Sequence, residues 1–200
     1  MKLLIRTLAA LTLLGAVSLA SAEVIRYTHF QPASLDQPKH AAALAFKTFV
    51  ESATGGSLEV QIYPAGQLGN GLEVMEGLQL GTIQLAVVHD GPIASVFPLI
   101  QVFQIPYIFP NQTVAWAVWD GEYGQRVAEA MREETGIRLL AYADNGIRHF
   151  TNSVREITSP EDMQGLKIRV QPSPVFQKLV SSLGASPAVV PWPELPSALQ

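Results

Sequence analysis

Two arginines occupy comparable places in two short stretches of alternating polarity, Arg169 in GLKIRVQPSPVF and Arg148 in GIRHFTNS. On an extended chain Leu166, Ile168 and Val170 fall on one face of the first stretch, with Lys167, Arg169 and Gln171 on the other. In the second, Arg148, Phe150 and Asn152 oppose Ile147, His149 and Thr151. A guanidinium at the carboxyl end of a strand, turned away from the core, is either a solvated surface group or the anchor of an anion site. Its planar fork donates two parallel hydrogen bonds to a carboxylate and stays charged at any relevant pH. If the two stretches are neighbouring strands of a second sheet, their guanidiniums repel unless something anionic lies between them. Open α/β sheets place ligands off the carboxyl ends of their strands, which is where Arg169 falls.

His89 and Asp90 close the apolar run IQLAVV, again at a carboxyl end. Adjacent residues of an extended chain point to opposite faces, so a pocket-lining or loop-packing role suits them better than a catalytic pair. Trp192, between Pro191 and Pro193, is a cleft aromatic or a core residue. His29 and His40 are too isolated to read as a metal site, and His40 is placed on the exposed side of its helix. The chain carries none of the G-x-S-x-G, H-E-x-x-H, phosphate-cradling or dinucleotide glycine patterns, which argues against an enzyme. An exported enzyme using His89 and Asp90, and a ligand-sensing or interaction module, stand as alternatives.

The elements that must position these residues alternate. VIRYTHF, LEVQIY and IQLAVV read as strands, separated by the helices PKHAAALAFKTFVESATGG, with Gly55-Gly56 as its stop, and LEVMEGLQLG, ending in glycine, so the fold class is α/β with a mostly parallel sheet. Ala41, Leu44, Ala45, Phe49 and Ala53 are read as the buried face of the first helix. Pro98, Pro106 and Pro110 break the apolar VFPLIQVFQIPYIFP into a packed connector. Helices near 113–119 and 124–135 and a strand IRLLAYA follow. From Asn145 the pattern restarts with IRHFTN, an SPEDMQG turn, LKIRV, a helix near 174–183 and the strand SPAVV. The expected division is therefore 1–22 as a leader, 23–145 as a first domain and 146–200 as part of a second.

The leader has a basic start (Lys2, Arg6), an apolar LTLLGAVSLA and an Ala20-Ser21-Ala22 cleavage site, which predicts an exported, periplasmic protein without a membrane anchor. Removing those two from the 13 basic residues leaves 11 against 17 acidic ones, a net charge of −6 that argues against nucleic acid as a partner. No cysteine is present, so disulfides and thiol chemistry are excluded. The closing PWPELPSALQ reads as the first turns of a helix, as though more chain should follow.

SPEDMQGLKIRVQPSPVF, LGASPAVVPWPELPSALQ, TGGSLEVQIYPAGQLGNGLEVMEGLQLGTIQLAVV, VFQIPYIFPN and NGIRHFTNS together resemble the solute-binding proteins of tripartite ATP-independent periplasmic (TRAP) transporters, the DctP family. The resemblance implies a two-domain, type II-like periplasmic binding protein whose α/β domains close over an organic acid and deliver it to a membrane permease. It implies that Arg169 clamps the ligand carboxylate, that Arg148 lines the same pocket, and that His89, Trp192 and Gln31 face the cleft. No cofactor is implied, although some relatives hold the acid through a metal ion. The remaining pocket segments are expected beyond Gln200.

Overall fold

A computed structural model describes residues 22–200; the expected leader, apart from its last residue Ala22, lies outside the described residues. The first unit is a three-stranded parallel sheet in the order β2-β1-β3, from β1 (Glu23–Thr28), β2 (Leu58–Tyr63) and β3 (Leu85–Ala86). β1 and β2 run in register from Glu23 opposite Leu58 to Thr28 opposite Tyr63. The crossovers are α1 (Pro38–Ala53) and α2 (Gly71–Leu80). The start of α2 is fixed by Asn70, whose Oδ1 accepts the N–H groups of Leu72 and Glu73 while Glu73 reaches back to the Asn70 N–H. Gly81 ends the helix at φ 72°, a left-handed conformation that glycine adopts without steric cost.

The buried face of α1 differs from the expected one. Ala43, Phe46 and Val50 pack on Tyr27 and Val60, while Phe49 is 73% exposed. The cause is the sheet edge. β2 is an outer strand, so the Val60 N–H and C=O turned away from β1 need partners. Glu51 accepts the N–H at 2.9 Å and Lys47 donates to the C=O at 2.7 Å. This ion pair turns the Lys47 side of the helix inward.

After β3 come the short helix α3 (Asp90–Ile93), a 3-10 run over Pro98–Gln104, and two helices in contact with each other, α4 (Gln112–Trp119) and α5 (Glu122–Thr135). Met75, Phe97, Ile100, Val127 and Met131 form the core beneath them. The segment IRLLAYA packs Ile137 and Leu139 on this core and leaves Leu140 outside, but Tyr142 rather than Ala141 packs next, so the alternation holds only as far as Leu140. Among the described residues it has no ladder partner, and neither has 147–152, so neither expected strand forms. Alternating polarity is not sufficient for a strand, which also requires another backbone alongside.

The second unit pairs β4 (Lys167–Val170) with β5 (Ser186–Val189) in parallel, Arg169 opposite Ala188, and α6 (Pro174–Ser182) crosses between them. It has its own core of Met163, Leu166, Ile168, Val170, Phe176 and Val180. β4 therefore neighbours β5 and not the Arg148 segment. Pro196 falls in the first turn of the short α7 (Leu195–Ala198), where a missing N–H costs nothing.

The turn into β4 yields a pH prediction. Asp162 Oδ2 accepts from the N–H and hydroxyl of both Thr158 and Ser159, at 2.9 to 3.1 Å. These donors, the Thr158 N–H first, pull its carboxyl down to about 2. The contribution to stability is then complete above the unfolded value near 4 and is lost as pH falls towards 2. Asp162→Asn is expected to lower the thermal midpoint at neutral pH, with the gap to wild type closing between about pH 4 and pH 2. A gap that is constant over that range would refute this.

Candidate functional site

His89 stands where the chain leaves β3 and turns into α3, with an extended backbone at φ −71°, ψ 153°. Its ring stacks beside Phe30, centroids 6.0 Å apart, and lies 6.3 Å from Trp192. Asp90 departs to the other side. Its Oδ1 accepts the Gly91 N–H at 3.1 Å and Gln171 Nε2 at 2.6 Å. The two neighbours thus face different surroundings, and no hydrogen bond joins them among the described residues.

Arg169 arrives from the strand pairing itself. Its Nε and Nη2 donate to the carbonyl of Val190, the residue after β5, at 2.9 and 2.7 Å. Its Cζ lies 5.9 Å from the centre of the Trp192 ring, a cation–π contact. One edge of the guanidinium is therefore tied to backbone, which leaves the end formed by Nη1 and the second hydrogen of Nη2. Arg148 reaches the same place from the unpaired segment 147–152. Its Nη2 is 3.8 Å from Asp90 Oδ1 and its Cζ is 5.1 Å from the Phe176 ring centre. Gln31 spends its carbonyl on the start of α1, where Oε1 accepts the Lys39 N–H at 2.9 Å.

Arg169, Arg148, His89, Trp192 and Gln31 all line one cavity of about 120 Å³. Trp192 is partly exposed in its wall and so takes the cleft position of the two left open. Sequence reasoning missed four further lining residues, Phe30, Lys39, Asn145 and Gln171. Gln171 shares the outward face of Arg169, so the period-two reading already carried the signal. Lys39 also left one: a cation in the first turn of a helix with no acidic residue there opposes the helix dipole. Phe30 and Asn145 left none beyond adjacency to Gln31 and Gly146. His40 requires a correction as well. It points inward, its Nδ1 3.1 Å from Nε2 of the fully buried His29, because β1 ends beneath the first turn of α1.

The electrostatics of the cavity are one-sided. Burial, then Lys39, Arg148 and Arg169, push the His89 imidazole down to about 4, so it is neutral throughout the physiological range. Burial and the nearby Arg148 also lower Lys39 and Arg169. Three cations gathered around a small, partly enclosed space hold a standing positive potential. A larger, shallow groove of about 520 Å³ between Pro106 and α6 is mostly apolar, with only Lys178 and Ser182 as polar lining. It lacks converging charge. Among the described residues no three His, Asp or Glu come together as metal ligands.

Residues 29–200 match DctP, the bacterial extracellular solute-binding protein family 7. The chain belongs to this family. Among curated relatives, this DctP-family chain is 34% identical over 190 residues to the C4-dicarboxylate-binding periplasmic protein DctP of Rhodobacter capsulatus, covering 94% of this chain and 55% of that one. It is 31% identical to the 2,3-diketo-L-gulonate-binding periplasmic protein YiaO of Escherichia coli, over 81% of this chain and 49% of the relative. Among solved structures, a TRAP periplasmic solute-binding protein from Sulfurospirillum deleyianum with bound succinate superposes with a TM-score of 0.82 at 34% identity, covering 90% and 57% of the two chains. One from Sulfitobacter with bound β-D-galacturonate gives 0.84 at 30% identity, covering 88% and 58%. The chain thus spans about half to three fifths of the length of these relatives. The expected α/β binding-protein architecture is the one found. The DctP family is one of binding proteins and not of catalysts.

Proposed function

We propose that this DctP-family chain belongs to the solute-capturing component of a TRAP-type secondary transporter, which takes an organic acid by its carboxylate at Arg169 and passes it to membrane permease subunits. The observation that carries this is the convergence of Lys39, Arg148 and Arg169 on one small cavity beside a neutral His89. Arg169 is the anchor. With its side edge held by Val190, its free end presents two parallel N–H donors to a planar carboxylate. Trp192 and Phe30 supply apolar walls, and Gln171, Asn145 and the Gln31 amide supply hydrogen bonds to further oxygens of the ligand. The acid's charge is met by side chains, without a cofactor. In this reading residues 1–22 direct export to the periplasm, and 23–145 and 146–200 belong to two jaws that close on the ligand. Closure removes water from the Arg169–carboxylate pair and strengthens it.

The acids bound by the solved relatives, succinate and galacturonate, set the panel for a test. Thermal midpoints are measured with each acid, with neutral sugars as controls. A ligand at about a thousand times its dissociation constant adds roughly 4 kcal/mol, which moves the midpoint of a protein this size by several degrees. A shift with acids and none with neutral sugars is the expected result. Equal shifts with both, or no shift with any acid, would overturn the reading.

A further inference from the structure

The three cations of the cavity have one carboxylate within ion-pair distance among the described residues, that of Asp90. Asp90 does not itself line the cavity. It lies behind the wall, where Gln171 Nε2 and the Gly91 N–H fix Oδ1 at 2.6 and 3.1 Å, and Arg148 approaches the same oxygen only to 3.8 Å. That last distance is an ion pair without a hydrogen bond, since charge-assisted bonds close to about 2.7–2.9 Å. The Arg148 side chain is 59% exposed, and its Cζ also lies 5.1 Å from the centre of the Phe176 ring. The anchoring of Asp90 is built deeper. A Cβ on Gly91 would come within 2.9 Å of the Gln171 side chain and of the Pro172 carbonyl, so only glycine lets the start of α3 approach the end of β4 this closely.

We infer that Asp90 is a resident counter-anion, a positioning residue that holds Arg148 and Gln171 at the cavity wall and limits how tightly the cationic cluster grips an incoming acid. This rests on the carboxylate-binding reading of the same cavity. A ligand carboxylate that engages Arg148 and Arg169 feels repulsion from Asp90 across the guanidinium of Arg148. Asp90 stays in place because its two hydrogen bonds come from the fold. The structure therefore separates two roles in one side chain: the hydrogen bond to Gln171 ties the first sheet's unit to the second, and the charge sets affinity.

Asp90→Asn keeps an acceptor for Gln171 and Gly91 and removes only the charge. Succinate and galacturonate, measured by calorimetry, are expected to bind this variant about five- to tenfold more tightly than wild type, as removal of one unit charge several ångströms away predicts, with a steeper loss of affinity on adding salt. Gln171→Leu removes the hydrogen bond and leaves the charge; it should lower the thermal midpoint without raising affinity. A second readout needs no acid. Without the counter-charge the cations repel, so the Asp90→Asn midpoint should lie about 2 °C below wild type at low salt and rejoin it at high salt. Unchanged or weaker acid binding by Asp90→Asn, where wild type binds, overturns the inference. If wild type binds no acid, the carboxylate reading fails, and the inference falls with it unless the salt-dependent midpoint gap appears; that gap establishes Asp90 as the cluster's counter-anion on its own.

Discussion

Replacing Arg169 by alanine is expected to weaken acid binding about thirtyfold to several thousandfold. Truncating one partner of a desolvated, hydrogen-bonded charge pair costs roughly 2–5 kcal/mol, which sets that range. The variant also loses two donors to the Val190 carbonyl, each worth about 1 kcal/mol or more, so a lower thermal midpoint accompanies the loss. The two effects are separable. Arg169→Lys keeps the positive charge and one donor but cannot fork, so it should recover part of the stability and little of the affinity. Calorimetry on both variants, with circular dichroism to confirm folding, decides the matter. An alanine variant that binds within threefold of wild type would remove Arg169 from the site.

Gly124→Ala is expected to be the most damaging small substitution in the first unit. The turn from α4 to α5 is so short that a Cβ at this position would sit 1.8 Å from the Trp119 carbonyl oxygen and 2.5 Å from its carbon. Both are backbone atoms and cannot rotate aside. The Gly124 carbonyl in turn accepts the Tyr142 hydroxyl at 2.8 Å, so a shift of the α5 start also disturbs the segment leading to the site. Overpacking against flexible side chains costs about 1–3 kcal/mol; against backbone the upper end applies, lowering the midpoint by roughly 6–12 °C. A change within 1 °C would mean that the α4–α5 turn is pliable, contrary to this packing.

The helix–strand alternation of the first three strands and the proline-broken connector were legible in the amino-acid order, because each depends on local chemistry such as Pro98; the Asn70 cap of α2 reads only as part of a turn-rich loop. What else was illegible depended on distant backbone. The inward turn of Lys47 follows from β2 being an edge strand, which nothing in PKHAAALAFKTFVESA records. Segments 137–140 and 147–152 carry strand-like polarity, yet no described strand lies beside them. At the site, Arg169 and Gln171 were visible as a pair on one face, and His89 and Trp192 as polar or aromatic residues at element ends. Lys39 was concealed because its conflict with the helix dipole becomes meaningful only when two arginines from other elements meet it.

The tie between Arg169 and Val190 also bears on the entropy of binding. A free arginine side chain gives up as much as about 2 kcal/mol of rotamer freedom when it is fixed. Here that loss occurs when β4 and β5 pair, before any ligand arrives. A small acid has few atoms with which to offset it, since even the best small ligands gain no more than about 1.5 kcal/mol per non-hydrogen atom. On the proposed reading, the register that sets Arg169 opposite Ala188 would therefore contribute to the binding free energy of an acid held at Arg169. A slip of one residue would leave the two-stranded sheet paired and turn its arginine inward.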